Sequence, residues 1–122
     1  MAPFPVVRIA GVLTSSGVNI SLIAAQAPRG ARVRITCRGR GCPTAAESRL
    51  IGSSSLRHRA SVLVFPRFER SLAAGVILEI TISKPGSIGK YTRFTIRHGK
   101  LPRRVDGCLD PAGFKPIACP TS

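Results

Sequence analysis

Apolar and polar residues alternate with a period of two along the stretch Leu72–Arg97. The apolar members of its first run are Val76, Leu78, Ile80 and Ile82. Such alternation predicts a strand with one buried face. The step Lys84-Pro85-Gly86 predicts a turn, because proline presets its own φ and glycine accepts a positive φ. The alternation resumes over residues 90–97 with Phe94 and Ile96 on one face, so the whole stretch predicts a β-hairpin.

A second hairpin is predicted near the start of the chain. Its inward-facing residues are expected to be Val7, Ile9 and Leu13 before a turn at residues 15–17, and Val18, Ile20 and Leu22 after it. A rival interpretation is an export signal, since residues 9–28 carry no formal charge over 20 positions and end near the small-x-small step Ala25-Gln26-Ala27. Polar residues at 14–17 and Asn19 interrupt the apolar run, which disfavours both a signal and a membrane span.

A third strand is predicted over residues 31–37, after a turn at 27–30. Its inward positions are Val33, Ile35 and Cys37, and its outward positions are Arg32, Arg34 and Thr36. Residues 44–61 indicate a loop with one weak strand or helical turn, order resumes at 61–65, and 66–70 is expected to be a crossover. We therefore predict an all-β chain, with a β-sandwich domain over residues 1–100 and a Pro/Gly-rich tail over 101–122 that packs on the domain or trails from it.

The composition agrees with one domain of 122 residues, and its strongest departure from the average is its charge. Nineteen Lys and Arg stand against five Asp and Glu, which gives +14 at pH 7, and 15 of the 19 are Arg. Such a surface favours polyanions such as nucleic acid, cell-wall polymer or acidic polysaccharide. Alternatively, a GC-rich genome simply encodes its surface cations as Arg. The candidate polyanion-binding residues are Arg32, Arg34, Arg38, Arg40, Arg93 and Arg97.

Four cysteines form two local pairs in this chain. The favoured pairing among the three conceivable ones joins Cys37 to Cys42 and Cys108 to Cys119. Disulfides imply an oxidising compartment and so an extracellular or cell-surface location. Two alternatives stay open: free thiols inside a cell, and a zinc site, which the ten residues between Cys108 and Cys119 disfavour. We predict no metal site and no cofactor.

No pattern in the sequence is typical of an active site. His58 lies in an Arg-flanked loop and His98 ends a strand, so both are expected to be ordinary surface residues. The five acidic residues have no spacing that brings two carboxylates together, and we expect them to compensate neighbouring Arg charges. A phosphate loop at residues 86–90 is excluded because Lys84 stands where that motif requires glycine. These features predict a protein that is not an enzyme.

Nucleic-acid binding is suggested by the basic strand over residues 89–94, which carries two aromatic rings. Tyr91 and Phe94 are an odd number of positions apart, so a strand points them to opposite faces, and Phe94 is expected in the core. At most one ring is then left for base stacking. Sequence-independent contacts between arginine and phosphate remain, on one patch that forms if the arginine-bearing strands are neighbours.

Several motifs together resemble a repeated module of secreted proteins from GC-rich actinobacteria, over about residues 28–119. They are Pro28-Arg29-Gly30-Ala31, the loop Cys37-Arg38-Gly39-Arg40-Gly41-Cys42-Pro43, Leu72-Ala73-Ala74-Gly75, residues 84–91 and Asp106-Gly107-Cys108-Leu109. The resemblance implies a single immunoglobulin-like antiparallel β-sandwich with a disulfide-stapled C-terminal tail. It also implies an accessory domain of an exported protein, with other domains beside it.

Two functional hypotheses follow. The first is a non-enzymatic structural or adhesion-type module of a secreted or cell-surface protein, whose basic face contacts anionic cell-wall polymer or polysaccharide. The second is a small intracellular nucleic-acid-binding protein that uses sequence-independent contacts between arginine and phosphate.

Overall fold

The computed structural model describes residues 4–52, 60–112 and 115–120. Over these residues the chain forms β-strands and one short 3₁₀ helix at Pro66–Phe68. The first five strands are β1 Val6–Leu13, β2 Gly17–Pro28, β3 Arg32–Arg38, β4 Ala46–Leu50 and β5 Ala60–Val64. The others are β6 Ser71–Ala73, β7 Ile77–Ser83, β8 Gly89–Thr95, β9 Arg103–Leu109 and β10 Pro116–Ile117.

The strands form two antiparallel sheets that pack face to face as a β-sandwich. The first sheet has the order β1-β2-β5, and β6 pairs with the start of β2. The second sheet has the order β10-β9-β8-β7-β3-β4. The chain crosses to the second sheet after β2, returns after β4 and crosses again after β6, as in an immunoglobulin-like sandwich. The predicted all-β antiparallel sandwich is confirmed.

The core lies between the facing sides of the two sheets. From the second sheet it takes Val33, Ile35, Leu78, Ile80, Ile82 and Phe94, and from the first sheet Val7, Val18, Ile20, Ile23, Ala25 and Ala27. Phe65 and Phe68, at the 3₁₀ helix, belong to the same buried cluster. Removing each large side chain of this kind from water stabilises the fold by about 1.5 to 3 kcal/mol. In a strand whose apolar and polar residues alternate, the apolar positions therefore mark the face that packs against this core.

The hairpin predicted over residues 72–97 is confirmed as β7 and β8. The inward positions of β7 are buried and the outward positions are half-buried, and Phe94 and Ile96 are buried on the same side. The Ser87 N–H donates to the Lys84 carbonyl oxygen at 3.0 Å, and Gly86 has a φ of 76°. The Pro-Gly step therefore forms a type II turn, as the sequence predicts.

The hairpin predicted near the start of the chain is confirmed as β1 and β2, but the orientation of one residue of β2 needs correction. A β-bulge falls between Ala10 and Gly11 of β1 and leaves Ser21 of β2 without a partner. This extra residue shifts the inward positions of β2 by one, so Ile23 is buried and Leu22 is only half-buried. The predicted inward orientation of Leu22 is therefore wrong.

Both predicted disulfides are present. Cys37, at the end of β3, is bonded to Cys42, and Cys108 of β9 is bonded to Cys119, with Cα–Cα separations of 5.7 and 4.9 Å. Gly39 within the first loop has a φ of 121°, and a side chain there would press against Val76. The first bond therefore closes a tight loop at the end of β3, and the second fastens the C-terminal tail to β9.

The tail continues the second sheet. β9 pairs with β8 along all seven of its residues, and β10 pairs with the end of β9. The segment over residues 44–61, which has no clear sequence pattern, contains the edge strand β4, paired with β3. His58 lies outside the described residues. The ordered segment predicted over residues 61–65 contains most of β5, and the predicted crossover contains the 3₁₀ helix.

Each of the two long margins of the sandwich carries an arginine at an inward position. Arg49 of β4 donates to the Val64 carbonyl oxygen at 2.8 Å, and its guanidinium lies 5.4 Å from the ring centre of Phe65. Arg104 of β9 donates to the Val7 carbonyl oxygen at 3.0 Å and lies 5.3 Å from the ring centre of Phe94. Each guanidinium therefore bridges the edge of one sheet to the edge of the other while its side chain covers an aromatic ring.

Candidate polyanion-binding face

The outer face of the second sheet collects arginines from three strands. β3 contributes Arg32, Arg34 and Arg38, β8 contributes Arg93, β9 contributes Arg103, and all five are exposed. We call these five residues the basic face. The sequence does not predict Arg103 as part of this face, because charged residues occupy both faces of β9 and hydropathy does not alternate along that strand.

The strands of the basic face share one sheet without being direct neighbours. β7 lies between β3 and β8, so the backbones of β3 and β8 stand about 10 Å apart. A single arginine patch is expected if the arginine-bearing strands are neighbours. β3 and β8 are not direct neighbours, but their arginines still project from the same side of one sheet. A linear polymer that lies across the strands can contact the arginines of β3 and those of β8 and β9.

Glu79 of β7 is the carboxylate of this face within the described part of the chain. Arg38 Nη2 donates to Glu79 Oε1 at 3.3 Å, and the Tyr91 hydroxyl donates to Glu79 Oε2 at 2.5 Å. Burial, together with this hydrogen bond, raises the pKa of Tyr91. Five guanidinium groups against one carboxylate leave four surplus positive charges on the basic face.

Tyr91 and Phe94 lie on opposite faces of β8, as the sequence predicts. Phe94 is in the core and 1% exposed, while Tyr91, on the outer side, is only 9% exposed. The ring of Tyr91 is therefore covered, and its hydroxyl is bound to Glu79. Neither ring offers an open surface on which a base can stack.

Two of the predicted polyanion contacts lie outside the strands of the basic face. Arg40 is exposed in the first disulfide loop, two residues after Arg38, and so adjoins one end of the face. Arg97 lies beyond the end of β8, and its guanidinium donates to the Leu101 carbonyl oxygen at 2.7 and 2.9 Å. Arg97 therefore holds the connection between β8 and β9 and is not one of the cations that the second sheet brings together.

A second charged cluster lies on the inner side of β8 and β9, at the margin of the sandwich. Asp106 lies 3.1 Å from Lys90 Nζ and 2.8 Å from Arg104 Nε, and the buried Thr92 hydroxyl donates to it at 2.8 Å. The hydrogen bond from Arg104, followed by those from Thr92 and Lys90, holds the pKa of Asp106 well below its usual range. The expectation that acidic residues compensate neighbouring cations is confirmed for Asp106 and for Glu79.

His98 lies at an exposed position, with Nδ1 3.4 Å from the Ser15 carbonyl oxygen. Within the described residues, no three His, Cys, Asp or Glu side chains gather where they would hold a metal ion. The interaction that the described surface supports best is the binding of negative charge by arginine.

Comparisons with protein-family models, with curated proteins and with solved structures give no match. None of the helical segments in residues 4–52, 60–112 and 115–120 is long and apolar enough to cross a bilayer.

Proposed function

We propose that this chain is a non-enzymatic structural or adhesion-type module of a secreted or cell-surface protein, and that its basic face contacts anionic polymers. The observation that supports this proposal is the concentration of five exposed arginines, with one carboxylate among them, on a single face of a sheet. Guanidinium groups donate paired hydrogen bonds to phosphate and carboxylate oxygens. Such a face suits a linear polymer whose charges repeat along its length, such as an anionic wall polymer or an acidic polysaccharide.

The alternative is a small intracellular protein that binds nucleic acid. Contacts with a DNA backbone would use the same arginines and would not depend on base sequence. The covered ring of Tyr91 and the buried ring of Phe94 offer no stacking surface, so the described face suits a polymer without bases better than it suits a single-stranded nucleic acid.

The two disulfides support a location outside the reducing cytosol. The resemblance to modules of exported actinobacterial proteins supports the same location. It also supports a place for this module beside other domains of a larger protein.

We expect the combined substitutions Arg32→Gln, Arg34→Gln and Arg93→Gln to weaken binding to poly(glycerol phosphate) about a hundredfold at about 0.1 M salt. Each lost phosphate contact also flattens the slope of log K against log salt concentration by about 0.7 to 0.9, so the slope should change by about 2. Fluorescence anisotropy of a labelled polymer, repeated over a series of salt concentrations, measures both quantities.

The matched control carries Arg8→Gln, Arg67→Gln and Arg70→Gln, which removes three exposed charges that lie outside the basic face. We expect this variant to lose less than about fivefold in affinity. Equal losses in the two variants would mean that net charge alone governs binding, and would contradict the proposed face. Titrations with hyaluronate and with duplex DNA separate the two hypotheses, since tighter binding to DNA at every salt concentration would favour the nucleic-acid alternative.

Intact mass spectrometry should show a gain of four hydrogens when the purified protein is reduced in denaturant, because two disulfides open. Without denaturant, we expect no gain in a glutathione buffer at the cytosolic ratio, since structural disulfides of folded secreted proteins have reduction potentials below that of the glutathione pool. In the chain-entropy model the two closed loops contribute about 2 and about 3 kcal/mol to stability. Ready reduction of the folded protein in that buffer would argue against the extracellular location.

A further inference from the structure

A cleft opens between the two sheets along the edge strand β1. Its volume is about 340 Å³, which is at the lower end of the range for small-molecule sites. The apolar side chains that line it include Ile9, Leu13, Val18, Ile20, Phe94 and Leu101. The charged side chain in this lining is that of Arg104. The cleft is therefore an apolar space with a cation at its border.

The register shift between Ala10 and Gly11, opposite the bulge of β2, lies in the wall of this cleft. Ile9, Gly11 and Leu13 occupy successive inward positions of β1, and glycine fills none of the space between its neighbours. A Cβ on Gly11 would overlap the Asn19 carbonyl oxygen, so the position does not accept a side chain. Leu13 has the predicted inward orientation, but it is 44% exposed because it borders the cleft and is not buried in the core.

The connection between β8 and β9 forms another wall of the cleft. Two hydrogen bonds from Arg97 hold the backbone of Leu101, and His98 contacts the turn between β1 and β2. Leu101 itself is 71% exposed, more than the other large apolar side chains of the described chain. An apolar ligand in the cleft would shield this side chain from water, which favours binding.

The charges beside the cleft favour an anionic group in its occupant. Arg104 and Lys90 share a single carboxylate, that of Asp106, so the three groups retain one net positive charge. Arg104 uses Nε and Nη2 for Asp106 and for the backbone of β1. Its Nη1 has no hydrogen-bond partner among the described residues and can donate to a ligand.

We propose that this cleft binds a small amphipathic carboxylate, with its hydrocarbon part against Phe94 and Leu101 and its carboxylate accepting a hydrogen bond from Arg104. A cavity of about 340 Å³ accommodates a hydrocarbon chain of about eight carbons. The cleft lies between the sheets, whereas the basic face lies on the outer side of the second sheet. The proposed ligand site is therefore additional to polymer binding.

Titration of nitrogen-15-labelled protein with hexanoate, octanoate and decanoate tests the proposal. We expect shifts in the amide resonances of Leu13, Phe94 and Leu101. From hexanoate to octanoate the dissociation constant should fall about fourfold per added methylene, as about 0.8 kcal/mol per methylene implies, and it should fall less from octanoate to decanoate because the cleft is then filled. Octylammonium, with the opposite charge, should bind at least about tenfold more weakly than octanoate. Equal binding of the two, or a dissociation constant independent of chain length, would overturn the proposal.

Two leucine substitutions test the position of the site. Leu101→Glu places a carboxylate in the wall of the cleft and should weaken octanoate binding at least about tenfold. Leu50→Glu makes the same change at a leucine that is 55% exposed on β4 and does not line the cleft, and it should change the dissociation constant less than about twofold. Because both leucines are exposed, both variants are expected to fold. Equal weakening in both would overturn the assignment of the cleft.

Two further measurements test whether a second copy of the chain, or the basic face, accounts for the shifts. If the same resonances shift with protein concentration in the absence of carboxylate, a second copy of the chain occupies the cleft and the proposal is wrong. The variant with Arg32→Gln, Arg34→Gln and Arg93→Gln should bind octanoate as tightly as the unaltered protein. Loss of octanoate binding in that variant would place the carboxylate on the basic face and not in the cleft.

Discussion

Replacing Gly17 with alanine is expected to lower the free energy of unfolding by about 3 kcal/mol. Gly17 begins β2 and pairs with Ala73 of β6, and a Cβ on Gly17 would overlap the Leu72 carbonyl oxygen. Leu72 is buried in the core. Relief of the overlap moves β6 away from β2, which costs about 1 kcal/mol for each ladder hydrogen bond and part of the packing of Leu72. Urea denaturation followed by far-ultraviolet circular dichroism measures the change.

Gly52→Ala provides the matched control. Gly52 is exposed, and a Cβ there would meet nothing within 4 Å. The free energy of unfolding should change by less than about 0.5 kcal/mol. If Gly17→Ala were as mild as this control, β6 would not pack against the start of β2 in the manner described.

The second large effect is expected from Phe94→Ala, which should lower the free energy of unfolding by about 4 kcal/mol and the Tm by roughly 15 °C. Phe94 is 1% exposed, and it separates the packed core from the cleft. Its removal takes away apolar contacts from the core and leaves Arg104 without the ring beneath its guanidinium. Differential scanning calorimetry gives both the Tm and the enthalpy of unfolding.

Leu101 borders the same cleft, but its side chain is exposed. We therefore expect Leu101→Ala to lower the free energy of unfolding by less than about 1 kcal/mol. Phe94→Leu keeps most of the buried volume and should recover about half of the loss. Similar costs for Phe94→Ala and Leu101→Ala would contradict the position of Phe94 in the core.

The strands that the sequence predicts are those with one face on the core and the other in solvent. β3 and β7 come closest to this condition, so their hydropathy alternates. β4 and β9 lie near the margins of the second sheet, where the sandwich is open. Their inward positions hold Glu47 and Arg49 on β4, and Arg104 and Asp106 on β9. With charge at the inward positions, hydropathy carries no strand signal, and only the pairing with neighbours defines these strands.

The sequence predicts only part of the basic face. Strand parity alone places Arg32, Arg34 and Arg93 on outward positions, and the structure puts all three on one side of one sheet. Parity gives no information beyond the end of a strand. Arg97 therefore has the right periodicity for the face, but the path of the following connection directs its guanidinium to Leu101. The bulge at Ser21 has no signal in hydropathy either, which is why the orientation of Leu22 is mispredicted.

The bond between Cys108 and Cys119 also determines how the module would carry tension. A pull on the chain beyond Cys119 passes through the two sulfur atoms into Cys108 and enters β9 directly, so β10 and the rest of residues 109–118 bear no load. Reduction would release these residues as slack of roughly 35 Å. β9, in contrast, is held to β8 along its whole length. The extension of the chain between β9 and Cys119 under load is therefore set by this one bond.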